Sequence, residues 1–285
     1  MMIIKHYYLP DVSMEEMRTM KPLLNGVVFH ALRLAMEMTT TPYPFRSTVN
    51  KGGGRNGRAS CVETHRQVFV CGGVPHGVAA FASLSIISAD DLFDKRTCDA
   101  PTERRIEAAQ QRGVAAQWFI CSLDVESWDD AWVLEGLTGL LAARTAAELH
   151  RDPPHNFPGR QSRIDPSYEQ CARHVLCRAI CDMEDERARL DQQRPLAPAP
   201  SAVWQCVPSC PAGDELAALK APYVMRMLSG LVGEDRFWKE IGKLCSKVEA
   251  AATPSSASGA LAATGGDDVA ILSTEQILKL WNRYF

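Results

Sequence analysis

The chain has 285 residues, 46% of them hydrophobic and 23% charged, with a formal net charge of −3. That size and apolar share suffice to bury a substantial core, in one large domain or two small ones. The charge gives no field for gripping DNA unaided, and no apolar run approaches the ~18 residues of a membrane span. The ten cysteines are spread along the chain rather than clustered as a small secreted framework. The opening MMIIKHYYLPDVSMEE has no basic stretch followed by an apolar one and a cleavage site, so reduced thiols in a nucleocytosolic setting are expected.

In chain order, Ser13-Met14-Glu15-Glu16 is a capping box. It opens a helix whose apolar positions Met20, Leu24, Val27, Val28, Leu32 and Met36 recur at three to four and which should end before Pro42. Lys51-Gly52-Gly53-Gly54-Arg55-Asn56-Gly57-Arg58 is a flexible loop by composition. It lacks the GK[ST] ending and preceding strand that a phosphate loop requires. Gln67 to Val70 and Val78 to Ile87 are rich in β-branched and small apolar residues and predict strands. A helix is predicted from Pro101-Thr102 through Trp118, because the run from Val114 to Ile120 suits a buried helix. Ser127-Trp128-Asp129-Asp130 caps another, running through Leu140 and Ala146 toward His150.

Ser167-Tyr168-Glu169-Gln170 opens a helix to about Leu190, and Arg194 to Pro200 is a stiff extended linker. Helices follow near Asp214–Ser229 and Glu234–Ala250, then a Ser/Ala/Gly stretch, Thr253 to Asp267, that reads as disordered. Ser273-Thr274-Glu275-Gln276 caps a last helix. The fold class is α+β, predominantly α, with a small strand region. Cys171, His174, Cys177 and Cys181 recur on one helix without the CxxC pairs of a zinc module, so they read as core side chains. Cys206 and Cys210 flank Val207-Pro208-Ser209 in a loop, where a zinc knuckle shared with the Cys171 group is the alternative, and His150 and His155 lie past the helix in a Pro-rich loop, where solvated or locally hydrogen-bonded histidine is the default.

Arg112 to Glu135, RGVAAQWFICSLDVESWDDAWVLE, carries the frame of a zinc-peptidase site. Such a site needs two histidines four apart on one helix face, a glutamate beside the first as general base, and a carboxylate from the next helix. Gln117-Trp118-Phe119 resembles the Gln-Trp-Phe that follows HExxH in M1-family aminopeptidases. That alignment implies a gluzincin-type (thermolysin/M1-like) fold. It puts Arg112 and Ala116 where the histidines belong, Gly113 where the base belongs, and Glu135 at the third ligand. One carboxylate cannot hold zinc. His76 to Ala80 is similar to the GAMEN-type strand, with Ala79 at the glutamate that grips the substrate amino group. Leu219-Lys220-Ala221 with Val224 to Leu228 resembles the KGA…RML helix, with Ala218 at the oxyanion tyrosine. Losing one oxyanion donor alone typically costs about 10²–10³ in rate. The resemblance therefore implies no enzyme, no cofactor and no metal, with Arg112, Gly113, Ala116, Glu135, Ala79 and Ala218 as vestigial positions. Arg112 is the expected cationic partner of Glu135. Trp118 and Trp132 are expected to pack in the interior.

Val78 to Ile86, Ala115 to Phe119, Trp128 to Leu134 and Lys220 to Arg226, with Lys5 to Pro10 at the start, resemble the aminopeptidase-like TBP-associated subunits of general transcription factor TFIID. The resemblance implies a nuclear, non-catalytic scaffold whose partners are TBP and other TFIID subunits, with promoter DNA engaged only within the complex and no membrane. It also implies that residues 1–285 are a partial M1-like domain, without the N-terminal β domain and C-terminal helical repeats of such subunits. Insertions or linkers are expected at about 47–62, 151–165, 191–212 and 253–268. The other readings are a zinc aminopeptidase with a displaced site, which needs a second histidine pair reaching Glu135, and a non-catalytic peptide groove, which needs an open cleft beside Trp118.

Overall fold

The computed structural model describes residues 2–9, 14–49, 60–72, 74, 77–89, 92, 100–125, 127, 130–151, 181, 215–252 and 271–282. Strands β1 (Met2–Tyr8), β2 (Arg46–Val49), β3 (Ser60–Val70), β4 (Val78–Phe81) and β5 (Leu84–Ser88) form a five-stranded sheet in the order β1-β3-β5-β4, with β2 also on β3. β1 and β5 run parallel to β3, whereas β2 and β4 are antiparallel to their neighbours. Alternate residues of a strand share a face, and on β3 it is His65, Gln67 and Phe69 that are fully buried.

Helices α1 (Met14–Thr39), α2 (Ala100–Ala115), α3 (Ala131–Arg151), α4 (Glu215–Val232), α5 (Glu234–Ala252) and α6 (Thr274–Asn282) make up most of the other described residues. The apolar stripe predicted on α1 is buried at Met20, Leu24, Val27, Val28 and Leu32 and half-buried at Met36. The helix stops where Thr40 takes a φ of 52°, ahead of Pro42. A core cluster joins α1, the end of α2, α3, α4 and α5 through Leu32, Trp118, Phe119, Leu137, Met225 and Phe237. α6 is seated by a polar clamp. Asp130 Oδ1 accepts from the Thr274 backbone at 2.9 Å and from its hydroxyl, while Trp132 Nε1 donates to Thr274 Oγ1 at 3.1 Å. The Ser273 hydroxyl accepts from Gln276 N at 3.4 Å, the predicted cap. Beside the clamp, β6 (Asp124–Val125) and β7 (Ile271–Leu272) pair in parallel.

Three predicted elements differ from the observed ones, the first being the strand expected from Gln67, which already begins at Ser60. The run from Val78 to Ile87 is a hairpin rather than one strand, turning at Ala82-Ser83 with Ser83 at a φ of 56°. The helix expected to reach Trp118 ends at Ala115, after which Gln117 N and Trp118 N bond to carbonyls three residues back, at 3.0 and 3.1 Å. This tighter path lets Gln117 face the sheet while Trp118 and Phe119 both enter the core. The segment read as an insertion near 47–62 begins and ends in sheet, since Thr48 pairs with Cys61 and Val49 with Ser60. Residues 50–59, the helix predicted from Ser167 to Leu190 apart from Cys181, Cys206, Cys210, His155 and the stretches 191–212 and 253–268 lie outside the described residues. Cys181 is helical and exposed.

α3 and α4 pack closely because α3 offers a glycine to Pro222, a proline inside α4. A Cβ on Gly139 would overlap Pro222 Cγ and lie 2.9 Å from Pro222 Cβ. Gly139→Ala should therefore destabilise the fold by about 1–3 kcal/mol through overpacking, although alanine is the better helix former. A chemical-denaturation midpoint equal to or above the wild type would show that this interface is not tightly packed.

Candidate functional site

Positions four apart on a helix share a face, and neighbours are rotated by about 100°. Gly113 and Gln117 accordingly face the sheet, while Arg112 and Ala116 share the adjacent face. The bond from Ala116 N to Arg112 O, 2.9 Å, keeps that spacing one residue past the end of α2. Glu135 lies near the start of α3, and the structure brings it to Arg112. Nη2 of Arg112 donates to Oε2 of Glu135 at 2.5 Å, with the Glu135 side chain 5% exposed and that of Arg112 21%.

Gly113 sits against the β4–β5 hairpin. A Cβ there would lie 2.7 Å from Ser85 Oγ and 3.1 Å from Val78 Cγ2. Ala116 is buried and offers a methyl. Ala79 lies on β4 opposite Ile86, and Ala218 in the first turn of α4. Among the described residues, no group of three or more His, Cys, Asp and Glu could hold a metal ion. His150, expected in a loop past the helix, is within α3, and its side chain lies outside the described residues. The ring of Trp118 is 1% exposed, donates Nε1 to Thr41 Oγ1 at 3.1 Å and meets Tyr43 edge-on at 5.7 Å, so it lines no open groove. Trp132 is half-buried rather than interior, because its indole N–H serves the α6 clamp.

Behind Gly113 stands a buried polar chain that periodicity did not reveal. Ser85 Oγ is 3.4 Å from His65 Nε2, His65 Nδ1 is 3.1 Å from Tyr43 Oη, and Tyr43 Oη donates to Gln117 Oε1 at 3.4 Å. The same Gln117 oxygen accepts from Ser83 N at 2.8 Å, and Gln117 Nε2 donates to Gly113 O at 3.1 Å. Because the Tyr43 hydroxyl gives its proton to Gln117, it accepts from His65 Nδ1–H. That leaves Nε2 to accept from Ser85, so one tautomer satisfies the chain. Burial, aided by the charge of His6, pushes His65 from 6.5 down to about 4. Burial also raises Tyr43 and lifts Cys121 to about 12. The only hint in the sequence was that the inward face of β3 places His65 and Gln67 beside Phe69, a polar break in an apolar pattern.

No family model matches the chain. Over 65 residues, 22% of the chain, it is 40% identical to transcription initiation factor TFIID subunit 2 of Gallus gallus, and it spans 5% of that curated relative's length. Among solved structures, it is similar to an M1 zinc metallopeptidase from Deinococcus radiodurans, with a TM-score of 0.51 and 16% identity over 98% of this chain and 44% of that one. It is also similar to Legionella pneumophila aminopeptidase A, solved in complex with aspartic acid, with a TM-score of 0.53 and 16% identity over 86% of this chain and 22% of that one. The fold is M1-metallopeptidase-like. At this identity the likeness concerns the backbone arrangement alone, mostly helical with a small sheet.

The buried chain makes stability depend on pH. Unfolded, His65 binds a proton near 6.5; folded, it does so only near 4. Its contribution is therefore complete above pH 6.5 and is lost as pH falls through that window, by a total on the order of 3 kcal/mol. His65→Gln should flatten this stretch of the stability curve in denaturant titrations. The same slope in both proteins would rule out a buried neutral His65 as its source.

Proposed function

We propose that the chain is part of a non-catalytic scaffold subunit of TFIID that acts in the nucleus, supporting RNA polymerase II transcription initiation and core-promoter engagement. The observation that carries this reading is the 40% identity over 65 residues to TFIID subunit 2 of Gallus gallus, on a fold that resembles zinc metallopeptidases. The chemistry of the aligned positions supports it. A guanidinium has no lone pair to give a metal, a methyl has no donor, and glycine has no side chain to act as base. With a formal charge of −3 the chain has little counterion-release energy to spend on DNA. Affinity in this reading comes from protein contacts with TBP and other TFIID subunits, and promoter DNA is met within the complex.

Affinity purification of the tagged, full-length endogenous product, followed by mass spectrometry, should recover TBP and other TFIID subunits in stoichiometric amounts. Recovery of cytosolic or membrane partners without any TFIID subunit would overturn the assignment. On the chemical side, the purified protein should hydrolyse aminoacyl amides no faster than buffer, with or without added zinc, because base, amino anchor and oxyanion donor positions are Gly113, Ala79 and Ala218. Chelator-sensitive turnover that follows the pure protein would favour a peptidase with a displaced metal.

A further inference from the structure

A carboxylate as enclosed as Glu135, whose side chain is 5% exposed, cannot stay charged without a cation at hand, because stripping water from an unpaired ion costs far more than most folds have to spare. In a zinc-bearing version of this frame, a carboxylate at that place would be balanced by a metal. The residues here do not suit one. Arg112 supplies no lone pair, Ala116 supplies no donor, and the base position at Gly113 is filled from the other side, where an added Cβ would lie 2.7 Å from Ser85 Oγ. What they supply instead is a positive charge already in position, with Arg112 Nη2 at 2.5 Å from Glu135 Oε2.

We infer that the guanidinium of Arg112 is the resident cation of this site, standing in place of a divalent metal and joining the end of α2 to the start of α3 without one. Three physical features support the assignment. The cation comes from the helix position that the resemblance aligns with a metal ligand, and it reaches Glu135 directly. It is itself largely enclosed, 21% exposed, so the attraction is screened less than at the surface. A guanidinium held in place on the helix also makes the junction independent of metal supply. The inference concerns this junction alone and holds or fails independently of the TFIID reading.

The test uses thermal melting of the full chain with a chelator, with added zinc, and in four variants. Wild type should melt at the same temperature in EDTA and in zinc and carry no zinc by elemental analysis. Arg112→Ala should lower the melting temperature by roughly 10 °C, the loss expected for stranding one buried charge. The double variant Arg112→Ala with Glu135→Ala should melt higher than Arg112→Ala alone, since the stranded carboxylate is gone. Arg112→His with Ala116→His, which puts two imidazoles four apart beside Glu135, should gain a melting temperature that rises with zinc, and Glu135→Ala in that background should abolish the rise. Stoichiometric zinc in wild type, a chelator-dependent fall in its melting temperature, or an Arg112→Ala protein as stable as wild type would each overturn the inference. So would a folded double-histidine variant indifferent to zinc. If that variant fails to fold, the wild-type and alanine arms still decide.

Discussion

The arrangement rests on how closely the end of α2 can approach the β4–β5 hairpin. That distance is set at Gly113, where no side chain stands between the helix and Ser85, and it is held by Gln117 one turn on, which bonds to Ser83 N and to Gly113 O. With those two residues committed to the sheet, helical geometry dictates where the others point. Arg112 and Ala116 turn to the adjacent face, and Arg112 there meets Glu135 on α3. A larger residue at 113 would push the helix off the hairpin and move the Arg112 head group with it. The sheet contact and the ion pair are thus two faces of one constraint.

The polar chain behind Gly113 gives that constraint its directionality. Tyr43, His65, Ser85 and Gln117 are all fully buried, and a buried polar group is costly unless it is bonded. Their hydrogen bonds can be satisfied together only if β3, β5, α2 and the segment after α1 keep one register, since a one-residue slip of β3 would turn His65 outward and Arg66 inward. Hydrophobic packing tolerates small rearrangements that a satisfied polar chain does not. The strained Ser83 turn follows from the same logic. Its N–H serves Gln117, its carbonyl accepts from Arg66 N at 2.9 Å, and its hydroxyl accepts from Arg66 Nη1 at 3.0 Å, contacts that offset the cost of a left-handed serine.

Where local signals were sufficient, the elements could be read directly. α1 carries a continuous apolar stripe, and Glu234–Ala252 and Thr274–Asn282 begin with acidic or capping residues. What could not be read depended on distant partners. No glycine, proline or asparagine marks the Ala82-Ser83 turn, which is stabilised by a glutamine 34 positions away. Nothing after Ala115 looks like a helix stop, because the stop comes from the two rings that must reach the core. β1 pairs in parallel with a strand some sixty residues later, Met2 opposite Glu63, and its own sequence says nothing of that partner. The Arg112–Glu135 pair was legible because a motif frame supplied the missing distance, whereas the Tyr43–His65–Gln117 chain had no frame to reveal it.

A buried ion pair is a poor source of stability, since a well-packed apolar pair of the same volume is often as good or better. The presence of Arg112–Glu135 at the helix junction therefore calls for a reason other than stability. Ala115, Ala116 and Val133 near it are buried apolar residues, and the apolar effect that holds them is non-directional. A short hydrogen bond between a guanidinium and a carboxylate has the opposite character. It is directional, weakening steeply once donor and acceptor are well out of line, so it favours one rotation of α2 against α3. The frame of an M1-like fold needs that rotation fixed whatever it is used for, because α3 also carries Trp132 of the Thr274 clamp for α6, with Asp130 just ahead of it, and the glycine seat for α4. Specifying geometry, rather than adding stability, is the role in which a buried charge pair at this point is physically intelligible.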